Sequence, residues 1–163
     1  MKLIFSVLII SFLVLAPLQS QAQDKGDIRA SASLVGVRFD EALGFSLGGE
    51  YFLTNRLSTA ANLLYVEESL FFSVKESLLG ADLRYYFVKK RLNVYALSGY
   101  GYYRRRTEAP TAEVTRRYNS VSLGGGVQYG ISDRWSVEFN AKTWYNSDGF
   151  YRVFGLGAAF TLN

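Results

Sequence analysis

The chain contains no cysteine and no histidine, and only two of its 163 residues are proline. Without cysteine there is no disulfide framework and no thiol for lipid attachment. Without histidine as well, Ser-His-Asp catalysis, Cys–His nucleophiles and His- or Cys-based metal sites each lack an essential part. A Ser-Lys or paired-carboxylate site remains chemically conceivable, but no catalytic residue, metal or cofactor is expected. No phosphate-cradling loop is present. Gly124-Gly125-Gly126 falls within an alternating stretch, where glycines relieve crowding or permit bending. The charge balance is modest, 18 Lys and Arg against 14 Asp and Glu. With no Lys/Arg-rich helix, nucleic acid is not expected as a partner.

The longest apolar run lies at the start. Met1-Lys2 supplies a positive beginning, Leu3 to Leu18 is almost wholly apolar, and Ser20-Gln21-Ala22 places small residues where a signal peptidase reads them. The run is short for a spanning helix and Pro17 interrupts its end. Residues 1–22 are therefore expected to be a cleaved signal peptide and residues 23–163 the mature domain. After Ala22 nothing approaches the roughly 18 apolar residues that a spanning helix needs. If the mature chain enters a membrane, strands must carry it.

What the mature sequence has in quantity is alternation. Phe45, Leu47, Tyr51 and Leu53 share one parity, as do Leu57, Leu63 and Tyr65, then Leu79, Leu83, Tyr85 and Phe87. Val121, Leu123, Val127 and Tyr129 follow, then Trp135, Val137, Phe139 and Tyr145, and finally Phe154, Leu156, Phe160 and Leu162 on even positions. Side chains of a strand alternate between faces, so each set is one apolar face. Short polar turns at Thr54-Asn55-Arg56, Lys89-Lys90-Arg91 and Ser132-Asp133-Arg134 each precede a bulky residue. Longer connections are expected at about 38–43, 67–76, 104–118 and 146–151. Three short turns and four loops join eight antiparallel strands. The first is expected at Ile28 to Val37. In the fifth, Tyr and Leu occupy both parities, and Asn93 is taken to face inward.

The opposite faces decide orientation. Ser46, Gly48, Ser58, Asn62, Gly80, Ser122, Gly124, Gln128, Ser136, Gly155 and Gly157 are small or polar, with isolated charges among them. An eight-stranded barrel has an interior just wide enough for side chains to fill, so ranks of large rings there would overfill it. The apolar face is therefore expected to meet lipid. Aromatics gather near the turns (Tyr51, Phe52, Tyr85, Tyr86, Phe87, Tyr129, Trp135). A second group lies near the loops and includes Phe39, Phe45, Tyr65, Phe71, Phe72, Tyr100, Tyr102, Tyr103, Tyr118, Trp144, Tyr145 and Phe154. Two such girdles suit the two membrane interfaces. The fold class that follows is an all-β, eight-stranded antiparallel up-and-down transmembrane β-barrel.

In this pattern the chain resembles the small outer-membrane β-barrel proteins of the OmpA/OmpX type. Gly157, Phe160 and Leu162 in the closing strand are similar to that family's C-terminal insertion signal, which implies the barrel-insertion machinery as a partner. The resemblance implies a bacterial outer-membrane address and a structural or surface-interaction role, not an enzyme. A narrow pore or small-solute conduit, and a soluble lipocalin-like periplasmic binder, are the alternatives.

Two constellations could carry function. Arg29, Glu50, Asp82, Arg84, Glu138 and Lys142 fall on inward parities, three of each sign, and charges in a narrow lumen are costly unless paired. They are expected to form a polar network that plugs the lumen and sets strand register; the blander reading leaves several of them solvated near the barrel ends. Arg104, Arg105, Arg106, Arg116 and Arg117 flank the third long loop. Long loops normally face the exterior, where these arginines would meet lipopolysaccharide phosphate; alternatively they pair with Glu108 and Glu113 on a solvated loop. The protein is expected to be monomeric.

Overall fold

The computed structural model describes residues 25–37, 42–69, 73–109, 112–147 and 149–162. Eight strands follow one another in chain order: β1 (Ile28–Val37), β2 (Ala42–Phe52), β3 (Leu57–Ser69), β4 (Ser73–Val88), β5 (Leu92–Ala109), β6 (Ala112–Gly130), β7 (Trp135–Asn146) and β8 (Gly149–Thr161). Each pairs antiparallel with its sequence neighbour, and β1 pairs with β8 to close the barrel. Closure leaves no edge along the paired wall. The expected signal peptide, residues 1–22, lies outside the described residues, as do Phe39, Phe71 and Phe72.

The short turns are built alike from their sequence. Thr54 Oγ1 accepts from the Arg56 and Leu57 amides at 3.2 and 3.0 Å, and Ser132 Oγ accepts from the Trp135 amide at 3.1 Å. A hydroxyl that replaces a backbone acceptor tightens a turn. The Asn93 side chain does the same for the Lys90 amide at 3.1 Å. Both described ends of the barrel strands lie with these turns, where the Leu162 amide donates to the Ile28 carbonyl.

The outer surface is apolar. Leu34 is 74% exposed, Leu79 62% and Leu156 60%, and the exposed large hydrophobics extend around the barrel through Leu47, Leu123 and Phe139. A continuous belt of this kind is incompatible with bulk water and suits hydrocarbon. β8 needs Gly157 for closure: a Cβ there would run into the Ala32 carbonyl and Ser33 of β1. Strand β5 takes the parity expected from Asn93, with Tyr95, Leu97 and Tyr103 also inside and Tyr100 and Tyr102 outside.

Two expectations are corrected. The long connections are shorter than expected, because strand pairing continues through 67–69, 73–76, 104–109 and 112–118. Strands β5 and β6 reach 18 and 19 residues, well past the nine to eleven that cross a hydrocarbon layer. These extensions carry polar residues on both faces, so apolar alternation could not reveal them; ladder hydrogen bonds hold them. Second, Phe52, Tyr86, Tyr103 and Trp144 are not girdle residues but are buried in the lumen. They share the parity of Glu50, Arg84, Asn93 and Lys142, and the interior holds large rings where facing positions are glycine or serine.

Candidate functional site

The six inward charges expected from the sequence all lie buried inside the barrel, Arg29 at 1% exposure and Asp82 at 2%. Four of them meet in one cluster near the turn end. Arg29 is ion-paired with Glu50 and lies 3.8 Å from Glu138. Arg84 bridges the same two carboxylates at 3.1 and 3.2 Å. The register explains the meeting, since Arg29 and Glu50 are direct partners across β1 and β2, while Arg84 and Glu138 reach in from the far wall on β4 and β7.

Uncharged groups add to the coordination, although Arg84 Nε is left without a hydrogen-bond partner. Ser58 Oγ donates to Glu50, and Tyr86 Oη donates to the same carboxylate at 2.8 Å while accepting from Arg29 at 2.9 Å. Tyr95 Oη donates to Glu138, and Arg29 donates to the Gln128 amide oxygen. Arg84 also lies 5.1 Å from the Tyr95 ring centroid. The remaining two charges form their own pair: Lys142 Nζ contacts Asp82, whose same oxygen accepts from Asn62 Nδ2 at 2.8 Å. Both groups are charge-neutral, the condition under which buried ions are tolerable. The sequence reading missed Tyr86 and Tyr95 as members. Tyr86 was legible, being two residues beyond Arg84 on the same parity.

Apolar layers bound this network. Toward the turns, Phe52, Tyr86, Tyr95 and Leu97 pack together. Toward the loops, Trp144 packs with Val35, Leu64, Val66, Leu78 and Val153. Its indole lies 5.5 Å from Lys142 Nζ. The slot exists because Gly80 and Gly101 are cross-strand partners; a Cβ on Gly101 would stand 2.8 Å from the Trp144 ring. Between the layers remains a cavity of about 40 Å³ beside Ser33, Asn62 and Asn140, room for very few waters.

Beyond Trp144 the lumen opens into a vestibule of about 440 Å³. Glu76, Tyr103, Arg105, Arg116, Tyr118 and Tyr151 are among its walls. The structure thus parts the five arginines. Arg105 and Arg116 are cross-strand partners that line the vestibule, with Arg105 Nε 3.4 Å from Glu76. Arg104, Arg106 and Arg117 occupy the opposite parity, and Arg104 faces Arg117 across the ladder. Arg104 and Arg106 line a shallow outer depression of about 160 Å³ with Tyr65 and Lys75. Arg106 pairs with Glu113 at 2.8 Å and Lys75 with Glu67 at 3.9 Å, both pairs exposed. Glu108 stands in β5, and its side chain lies outside the described residues.

A closed eight-stranded barrel with an apolar exterior and a charge-filled interior agrees with the sequence comparison. Residues 5–161 match the family described as outer membrane protein beta-barrel domain. The chain belongs to that family. Among solved structures, the N-terminal β-barrel domain of Pseudomonas aeruginosa OprF superposes with a TM-score of 0.67 at 20% identity, covering 86% of this chain and all of that one. Pseudomonas aeruginosa OprG gives 0.66 at 12% identity, covering 89% of this chain and all of that one. Yersinia pestis Ail gives 0.63 at 17% identity, covering 85% and 99%. No curated protein matches the chain. This outer-membrane β-barrel is therefore a bacterial outer-membrane protein, and the soluble lipocalin-like alternative is not favoured. Among the described residues no group of three metal-ligating side chains comes together.

Proposed function

We propose that this outer-membrane barrel is a non-conducting, non-enzymatic, monomeric surface-interaction protein, with its lumen plugged by the ion network and its contact surface at the loop end. The observation that carries the reading is the buried, charge-balanced pair of ion groups between two apolar layers, beside a cavity of about 40 Å³. An ion crossing the lumen would have to part these pairs and displace Trp144. In this reading the turns and both termini face the periplasm, the usual arrangement for such barrels.

The outward cations supply the surface chemistry. Arg104, Arg106, Arg117 and Lys75 form a patch on the outer wall of β4, β5 and β6, beside Tyr65 of β3, at the height where lipopolysaccharide phosphates would meet them. Guanidinium binds phosphate bidentately, and exposed carboxylate pairs of this kind hold the arginines only weakly. Gly157, Phe160 and Leu162 would present the closing strand to the insertion machinery. Residues 1–22 would direct export and be removed.

Single-channel recording of the purified protein tests the plug, and the expected trace shows no large, steady conductance. A stable open level would replace this reading with the narrow pore. Replacing Arg104, Arg106 and Arg117 together with Gln is expected to weaken retention of lipopolysaccharide in detergent.

A further inference from the structure

The turn end of the barrel repeats one junction four times. Asp27-Ile28, Arg56-Leu57, Arg91-Leu92 and Arg134-Trp135 stand at the entries to β1, β3, β5 and β7. At each entry the carbonyl of the first residue accepts an amide of the next strand. The donors are Phe52, Tyr86, Gly130 and Thr161, at 3.1, 2.8, 2.8 and 2.9 Å. At each entry the second residue is paired across the ladder with a ring: Ile28 with Tyr51, Leu57 with Tyr85, Leu92 with Tyr129 and Trp135 with Phe160. These rings alternate with the buried Glu50, Arg84, Gln128 and Ala159, so all four share the lipid-facing parity. The junctions recur at every second seam of the closed wall.

The first residue is what varies, with three arginines and one aspartate. Arg56 and Arg134 are exposed and Arg91 is half-buried. Arg91 Nε donates to the Gly130 carbonyl at 3.1 Å, and its guanidinium lies 5.2 Å from the centroid of the outward Tyr129 ring. A cation beside an outward ring, at the foot of an apolar belt, stands where hydrocarbon gives way to head groups. We propose that Arg56, Arg91 and Arg134 are three equivalent seats for phospholipid phosphate in the leaflet that the turns face, and that the Asp27 junction takes none. The guanidinium holds the phosphate as a fork, and the adjoining ring lies along the ester region below it. Exposed carboxylates hold such arginines only weakly, so the assignment rests on position and not on a lack of partners. It rests on the lipid-facing exterior, and not on the plug or on Arg104, Arg106 and Arg117.

The test uses mature protein folded in polyoxyethylene micelles, which carry no phosphate, titrated with dihexanoylphosphatidylglycerol. The Nε–Hε resonances of the arginines are followed by NMR, each assigned by its Arg→Gln variant. Those of Arg56, Arg91 and Arg134 are expected to shift saturably. Dihexanoylglycerol and inorganic phosphate should act at least about tenfold more weakly, the scale of a charge-assisted hydrogen bond. No saturable shift at these three, or an equal effect of the phosphate-free lipid or of free phosphate, overturns the proposal. Each single Arg→Gln change should remove one responding signal and leave the other two. Lys90→Gln, beside Arg91 but outside the repeat, should leave all three unchanged; an equal loss there would mean diffuse attraction and no built seats. Asp27→Arg should add a fourth responding signal, and its absence in a folded variant would also overturn the equivalence. Heat-modified gel mobility reports folding, and the single Arg→Gln variants keep the test decisive if Asp27→Arg does not fold. Shifts confined to Arg104, Arg106 and Arg117 would support the loop-end reading and sink this one.

Discussion

The lumen differs sharply on the two sides of Trp144. Toward the turns each of the six inward charges has an opposite charge beside it, around a cavity of about 40 Å³. Toward the loops the described residues of the same wall place Arg105, Arg116 and Glu76 around an open cavity. Both regions are lined by charged and aromatic side chains. The difference lies in enclosure. A sealed group of ions can only hold the wall together, whereas an open one also meets what enters from outside. Composition alone would have scored the two regions as alike.

The largest expected effect comes from opening the sealed side. Glu50→Ala removes the carboxylate shared by Arg29, Arg84, Ser58 and Tyr86, leaving guanidinium charge uncompensated. Breaking a buried pair in this way costs about 3–5 kcal/mol, measurable by denaturant unfolding in micelles; a loss below about 1 kcal/mol would show that the cluster does not hold the barrel. Next is the layer between the regions. Gly101→Val must displace the Trp144 indole, a cost of about 1–3 kcal/mol for overpacking. In a Trp135→Phe background, which leaves Trp144 as the chain's one tryptophan, its emission should shift to the red. Unchanged emission would mean the slot is not as tight as described.

A smaller effect is expected from the isolated pair. A double-mutant cycle of Asp82→Asn and Lys142→Met should give a coupling of about 0.5–3 kcal/mol. A value near zero would reduce the pair to two independently solvated groups. The smallest belongs to the outer wall, where Arg104→Gln and Arg117→Gln should change stability by no more than about 0.5 kcal/mol. A large loss there would mean that the projecting β5–β6 hairpin is needed to hold the barrel below it.

Much of this architecture was legible because period two is a local property. The parity of Leu79, Leu83 and Tyr85 assigns a face to every residue between them, so Asp82 and Arg84 follow as inward without any knowledge of their partners. Turns were legible for the same reason, since Thr54 and Ser132 bond to their own neighbours. Reading failed where local signals end. Residues 104–109 and 112–118 pair as strands although neither face is apolar. Phe52, Tyr86 and Trp144 were assigned to the girdles by kind of side chain, when parity pointed inward.

The sequence by itself determined the class: an alternating, cysteine-free and histidine-free chain whose bulky face suits lipid and whose other face is small and charged. Only the tertiary structure decided which charges meet, because Arg84 and Glu138 are 54 positions apart and converge only when the wall closes into a cylinder. It also decided that Arg105 and Arg116 turn into the mouth while Arg104 and Arg117 turn away. The physical reason is the same in both cases. Alternation sets a side chain's face, but closure and register set what stands opposite it.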